Sequence, residues 1–378
     1  SAFSAYSTTL SGIEFEALLY PAHTSNLDIL SAARPQLESW VQDHLTLVQD
    51  SGLKYPFKTF TLVEVPNALR GYGGGWRQDT TMAPPSMLLL RESGFPTARF
   101  DFYIGKSWPT NRQGTLNEEQ ANKLRDRVVG FFNGDLSGGD VFAGIARSYF
   151  KHQTAVSGED AIALDFALQE LTTLVLSGKR GYFSAYRFLP QYQSAFLSFA
   201  GNMFTQADGN VSGVAIDTFV DRPEVWEAIM STPLHSVALA ENSQRSIDQL
   251  YLKAGELAQM IYDSLGPRDA GKFLAQILRR HHAGTFTLDD VIAAGNQVSK
   301  QLGPVIAAWF EDTGLPGFVV DKASFYELAQ TTSGDRQYQL LVTLRNDEST
   351  PGFARVSWTL GNEEDSNRYR SKPLHIGA

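Results

Sequence analysis

The fold is decided by the stretch 251–316, which reads YLKAGELAQMIYDSLGPRDAGKFLAQILRRHHAGTFTLDDVIAAGNQVSKQLGPVIAAWFEDTGLP. Its apolar residues recur at helical spacing, and the same pattern begins near 222 and continues to about 312. Glycine and proline pairs such as Gly266-Pro267 and Gly303-Pro304 divide the stretch into separate helices. Thr287, followed by two aspartates, predicts a capped helix start. The pattern predicts a helical domain over residues 211–320.

The sequence on either side of this helical domain has a different character. Before it, strands are predicted at 12–20, 59–66 and 87–90, and helices at 26–48, 117–133, 139–155 and 158–178. After Pro316, alternating stretches at 323–330, 337–346 and 353–360 predict strands. The fold class is therefore α+β, then all-α, then a small β-sandwich-like module. The predicted domains are 1–210, 211–320 and 321–378, and we expect the last to be truncated.

Composition excludes several classes of function. The chain has 378 residues, no cysteine and a net charge of −9. The missing cysteines exclude disulfide scaffolds, iron–sulfur clusters and thiol nucleophiles. An acidic chain has no overall attraction for nucleic acid, so we expect no nucleic-acid partner. No window of eighteen apolar residues occurs, and the start lacks the features of a signal peptide. We therefore expect a piece of a longer protein, whose membrane-embedded portions lie outside this chain.

The helical domain carries a series of short motifs that resembles a known family. The motifs are Tyr251-Leu-Lys253-Ala-Gly255, Leu265-Gly266, Lys272-Phe273-Leu274, Arg279-Arg280-His281, Gly284-Thr285-Phe286-Thr287-Leu288-Asp289-Asp290, Ala308-Trp309-Phe310 and Gly314-Leu315-Pro316. The series is similar to the helical region of the gluzincin, aminopeptidase N-like zinc peptidases, where a Tyr-x-Lys-Gly helix and a Trp…Pro-Gly-x-Pro ending recur. The resemblance covers roughly 12 to 320. It implies a thermolysin-like domain ahead of the helices and a β module behind them.

The same resemblance implies that the metal site of the family is missing. Gluzincins bind zinc through H-E-x-x-H and a Glu on the next helix, and the Glu of the motif is the general base. Aligning the helices places four residues at these positions: Ala143, Gly144, Arg147 and Phe166. None of them is a zinc ligand or a base, so we expect no metal, no cofactor and no catalytic residue. No position is assigned to the family's catalytic tyrosine.

A cleft next to the degenerate site is expected to persist. Its predicted lining consists of Gly74, Gly75, Trp76, Arg77, Met87, Arg91, Glu92, Arg147, Asp165 and Glu170. In active relatives the segment near 71–92 supplies the edge strand that pairs with substrate. Arg147 is predicted to pair with Glu170 or, as second choice, with Asp165. Such a pair would join the two helices that zinc joins in active relatives.

The resemblance implies a non-catalytic domain that binds or scaffolds a peptide or protein partner. A subgroup of such domains is fused to bacterial ABC-transporter permeases, so the expected location is the extracytoplasmic, periplasmic face of a bacterial membrane. Two alternatives stay open at this stage. One is an active hydrolase with a rebuilt site, and the other is a purely structural domain with a closed cleft.

Overall fold

A four-stranded sheet forms the N-terminal part of the computed structural model, which describes residues 3–66, 85–92, 95–98, 100, 116–133, 141–178, 223–238, 243–330, 336–360 and 367–377. Its strands, in spatial order, are β1 (Ser4–Leu10), β2 (Ile13–Leu19), β3 (Thr59–Val65) and β4 (Met87–Arg91). β1 and β2 form an antiparallel hairpin, whereas β2, β3 and β4 run parallel. Strand β1, with its polar Ser and Thr residues, was not among the predicted strands.

Helices account for most of the remaining described residues. In the N-terminal part they are α1 (Ser25–Ser31), α2 (Arg34–Asp50), α3 (Glu118–Asn133), α4 (Val141–Tyr149) and α5 (Ala161–Ser177). Farther along the chain they are α6 (Pro223–Ser231), α7 (Ser243–Gln249), α8 (Gly255–Leu265), α9 (Pro267–His281), α10 (Leu288–Val298) and α11 (Leu302–Glu311). Short strands β5 (Ala155–Val156) and β6 (Thr285–Phe286) pair in parallel and join the two regions. Among the helices that the structure describes, none combines the length and apolar character that a membrane crossing requires.

The predicted helix at 26–48 is two helices. The chain ends α1 at Ser31 and begins α2 at Arg34, with Pro35 in the first turn of α2. Proline has no N–H to donate to the preceding turn, and its ring clashes with a continuous helix there. The apolar periodicity continues across the break, which is why it predicted a single helix.

Two predicted helix starts are confirmed by their caps. Asn117 accepts a hydrogen bond from the Gln120 N–H at 2.9 Å, and its own N–H donates to the Gln120 side chain at 3.1 Å. Thr287 and Asp290 form the corresponding reciprocal pair at the start of α10, where the Thr287 N–H donates to the Asp290 carboxylate at 2.9 Å. Both caps satisfy N–H groups that a helix start leaves without partners.

The largest hydrophobic core spans both of the first two predicted domains. It runs from Val48 in α2 to Phe310 in α11, with the apolar residues of α5 at its centre. A smaller core lies between α3, the turn around Phe95 and the β4 residue Leu90. The predicted boundary at 210 lies outside the described residues, so the division into domains stays a prediction.

The C-terminal module consists of three antiparallel ribbons in the described residues. They pair β7 (Phe318–Leu328) with β8 (Gln337–Asn346), β9 (Gly352–Ala354) with β12 (Leu374–Ile376), and β10 (Ser357–Leu360) with β11 (Asn367–Arg370). The predicted strand at 353–360 is thus split, because the chain changes its pairing partner between Ala354 and Ser357. The sandwich-like packing stays a prediction.

A carboxylate is buried in the middle of the N-terminal sheet. Glu64 of β3 is fully buried, and one of its oxygens accepts the Tyr20 N–H at 2.7 Å. The other oxygen is bonded to Nδ1 of His23, whose side chain is partly exposed. These two contacts link β3 to the turn that leads from β2 into α1.

Replacing Glu64 with alanine is expected to destabilise the fold by about 3 kcal/mol or more, because the Tyr20 N–H and the His23 ring lose their buried partner. The matched control is Glu38→Ala on α2, since Glu38 pairs with Arg34 in a contact that is partly exposed on both sides. We expect the control to lose about 1 kcal/mol or less. Urea unfolding measures both, and equal losses in the two variants would contradict the role assigned to Glu64.

Candidate functional site

Strand β4 is the outermost strand of the sheet in the described part of the chain. Two backbone hydrogen bonds of 2.9 Å define its pairing with β3: Thr61 N–H donates to Ser86 O, and Glu92 N–H donates to Val65 O. In a parallel pair of strands, every second residue of a strand directs both its N–H and its C=O toward the adjacent strand. The backbone groups of the other residues of β4 therefore point away from β3: Met87, Leu89 and Arg91.

Helix α4 lies beside this edge strand. The Ser148 hydroxyl donates to the Pro85 carbonyl oxygen at 2.5 Å, which ties the end of α4 to the residues that lead into β4. On the same helix, Ile145 packs with Leu62 and Leu88 against the core under the sheet. The edge of β4 and the last turn of α4 are therefore held together by one polar and several apolar contacts.

Polar contacts connect α4 to α5 at the place predicted for Arg147. The Arg147 Nε donates to the Gln169 side-chain oxygen at 3.3 Å, and the Gln169 amide donates to Asp165 at 2.7 Å. Asp165 also binds the Lys151 ammonium at 2.6 Å. Arg147 thus bridges the predicted pair of helices, and its bond goes to a neutral amide. Glu170 is buried next to Gln169, and the ion pair between Arg147 and Glu170 stays a prediction.

The four positions aligned with the zinc site lie on these two helices. Ala143, Gly144 and Arg147 belong to α4, and Phe166 belongs to α5. The Phe166 ring meets the Tyr251 ring edge-on, with 6.4 Å between centroids. In the residues that the structure describes, no three His, Asp or Glu side chains lie close enough together to hold a metal ion. The Phe166 position, which the sequence alignment predicts to correspond to a third zinc ligand, is thus occupied by aromatic packing.

The protein is expected to retain much less than one equivalent of zinc after dialysis, because Ala143, Gly144 and Phe166 have no side-chain nitrogen or oxygen to donate. Metal analysis of zinc-loaded and dialysed protein measures this directly. One tightly bound equivalent, with submicromolar affinity, would contradict the prediction and favour the alternative of a rebuilt hydrolase site.

Six of the ten residues predicted to line the cleft lie in the described part of the structure. Met87 and Arg91 lie on β4, and Glu92 follows it. Gly74, Gly75, Trp76 and Arg77 lie outside the described residues. The contact between Ser148 and Pro85 joins α4 to the residues before β4, and the cleft between the two sets of lining residues stays a prediction.

Sequence reasoning missed a buried lysine close to this site. Residues Leu250–Ala254 form one turn of π-helix between α7 and α8, and Lys253 within it is fully buried. Its ammonium donates to the Asp312 backbone carbonyl at 2.5 Å. Burial lowers the pKa of Lys253 to about 8, and the negative charge of Asp312 opposes this shift. The sequence contained a signal for this turn. Compared with the Tyr-x-Lys-Gly motif, it has one extra residue, Ala254, between Lys253 and Gly255, and a π turn accommodates one extra residue.

Folding stability is expected to rise with pH in the range between the lowered pKa of Lys253, about 8, and its ordinary value of 10.5. In that range the unfolded chain holds a proton on Lys253 that the folded protein lacks, so a higher pH favours folding. This proton difference contributes about 3 kcal/mol to the free energy of unfolding over the full pH range between the two pKa values, and Lys253→Met removes the contribution.

Urea unfolding of wild type and variant at several pH values tests the prediction. The matched control is Lys272→Met, because Lys272 is exposed on α9 and pairs only at the surface with Asp269. The control should follow the pH dependence of the wild type. The prediction is wrong if Lys253→Met follows it as well.

Comparison with known proteins finds likeness only among solved structures, and the likeness is distant. No family model and no curated protein matches the chain. Among solved structures, aminopeptidase A of Legionella pneumophila, crystallised in complex with aspartic acid, is similar with a TM-score of 0.47 and 12% identity. The match covers 99% of this chain and 35% of that one, so the chain spans about a third of the aminopeptidase. This likeness concerns the fold alone, and the narrower resemblance to gluzincins rests on the sequence motifs.

Proposed function

We propose that this chain is a non-catalytic, peptidase-like domain that binds an extended segment of a peptide or protein along β4. The observation that carries the proposal is the register of β4, which directs the backbone groups of Met87, Leu89 and Arg91 away from the sheet. An extended chain that pairs with these groups adds a fifth strand, which is a common mode of peptide recognition.

Helix α4 supplies the second wall of the proposed groove. Its last turn is attached to the start of β4 through Ser148, and it carries Arg147 and, just beyond its end, Lys151. A strand added to β4 would direct alternate side chains toward this wall. In this proposal Arg147, Lys151 and the Gln169 amide, which also bond between α4 and α5, would meet polar or acidic side chains of the bound segment.

Peptide hydrolysis by the mechanism of the family does not fit these residues. That mechanism needs a metal-bound water and a carboxylate base on the helix corresponding to α4. This chain has Ala143 and Gly144 at the positions of the first ligand and the base. Binding at the strand edge needs neither group, since backbone hydrogen bonds provide the affinity.

The proposed context is a larger bacterial membrane transport protein, with this domain on the extracytoplasmic face. This part of the proposal rests on the resemblance to peptidase-like domains fused to ABC-transporter permeases. The partner would be a peptide or a protein segment, and the acidic net charge of −9 disfavours nucleic acid.

The test begins with selection of a peptide from a random library on the purified wild-type protein. The decisive variant for that peptide is Leu89→Pro. Proline removes the outward N–H of Leu89 and leaves the hydrogen bonds between β3 and β4 in place, as is tolerated in edge strands. We expect the affinity for a selected peptide, measured by fluorescence anisotropy, to fall by about tenfold or more.

Leu89→Val is the matched control, because it keeps the N–H and the strand propensity and should bind like the wild type. N-methyl groups on alternate residues block one edge of the selected peptide, so one of the two alternating patterns should abolish binding and the other should preserve it. Equal affinity of the proline and valine variants would contradict the proposal. Cleavage of the peptide by the purified protein would favour the rebuilt hydrolase.

A further inference from the structure

An apolar cavity lies under the N-terminal sheet, on the face that α2 and α4 cover. Its volume is about 210 Å³. Phe15 and Phe60 line it from the sheet, Val41 and Leu45 from α2, and Ile145 from α4. The residues around this space belong to one core cluster, and their side chains leave the space unfilled. It is separate from the edge of β4, so a ligand in this cavity would bind independently of a peptide at that edge.

A second cavity continues the first along the same face of the sheet. Its volume is about 190 Å³, and it extends toward β1 and α1. The two cavities share four wall residues: Phe15, Val41, Phe60 and Leu62. Phe15 pairs with Phe60 in the register of β2 and β3, which places both rings on this one face. The combined space is elongated and follows the axis of α2.

The size and the lining of the first cavity favour an occupant. Protein interiors are close-packed, and atoms that line an empty void lose their dispersion partners. An apolar cavity of about 150 Å³ stays dry and binds benzene. The first cavity here exceeds that volume and is walled almost entirely by carbon. Small-molecule sites have this character, with a few polar groups placed at one end.

The polar end of the elongated space lies in the second cavity. There Thr8 donates to Glu38 at 2.9 Å, and Arg34 donates to Glu38 at 2.7 Å and to Thr8 at 3.0 Å. Arg34 and Glu38 neutralise each other at this end. It therefore offers hydrogen-bonding groups without net charge, which suits an uncharged head group such as a hydroxyl better than a carboxylate.

We infer that the space between the sheet and α2 binds the hydrocarbon chain of a single-chain, uncharged amphiphile, with its polar head at Thr8, Arg34 and Glu38. The apolar walls provide the affinity through burial of the chain. The polar end provides the selectivity among head groups.

Fluorescence titration with N-phenyl-1-naphthylamine, an uncharged apolar probe, tests the inference on the whole chain. We expect saturable binding of one probe molecule and its displacement by 1-dodecanol. Dodecanoate should displace the probe less effectively than 1-dodecanol, by about tenfold or more. Absence of saturable binding would overturn the inference, and equal or better displacement by dodecanoate would overturn the assignment of the head group.

Val41→Phe should fill the space from α2, since Val41 lines both cavities, and should weaken probe binding by about tenfold or more. The matched control is Leu47→Phe on the same helix, where Leu47 is exposed, and its affinity should stay within about twofold of the wild type. If Val41→Phe does not fold, Ile145→Phe takes its place and fills the first cavity from α4. Equal affinity of the filling variant and the control would overturn the inference.

Discussion

The burial of the second half of helix α5, where every residue from Glu170 to Leu176 is buried, is the constraint on which the rest of the structure depends. Its apolar residues form the centre of the largest core, and even Thr172 and Thr173 are buried. Both hydroxyls bond to backbone carbonyls one turn earlier, so they need no partner outside the helix. A helix segment that is buried on every side requires neighbours on every side, and α4, α8 and α9 supply them.

This constraint determines what the site between α4 and α5 can contain. Polar groups between two packed helices must find partners there, since an unsatisfied buried group costs free energy. Arg147 of α4 meets Gln169, and Lys151, just beyond the end of α4, meets Asp165, so both cations are held by α5. Phe166 completes the packing by contacting Tyr251. Side-chain packing and hydrogen bonds therefore join these helices in the described structure.

The two proposed binding places use different properties of one sheet. The edge of β4 offers backbone hydrogen bonds, whereas the face under α2 offers apolar surface and a small polar end. Ile145 of α4 packs at the boundary, since it contacts the core under the sheet and lines the first cavity. Glu64 lies on the same face of β3 as the cavity residue Leu62. Its pair with His23 attaches the sheet to the turn before α1.

Local patterns in the sequence determined the helices and their starts, because caps and periodicity act over a few residues. Asn117 with Gln120 and Thr287 with Asp290 are such local signals. The break at Pro35 was also local, but the periodicity on either side concealed it. Only the tertiary structure decided which polar groups are buried and which apolar space stays unfilled. Glu64 meets a residue 41 positions away, and the Lys253 ammonium meets a carbonyl 59 positions away. The cavity under α2 depends on side chains from β2, α2, β3, α4 and α5, and no local pattern specifies how far apart such elements pack.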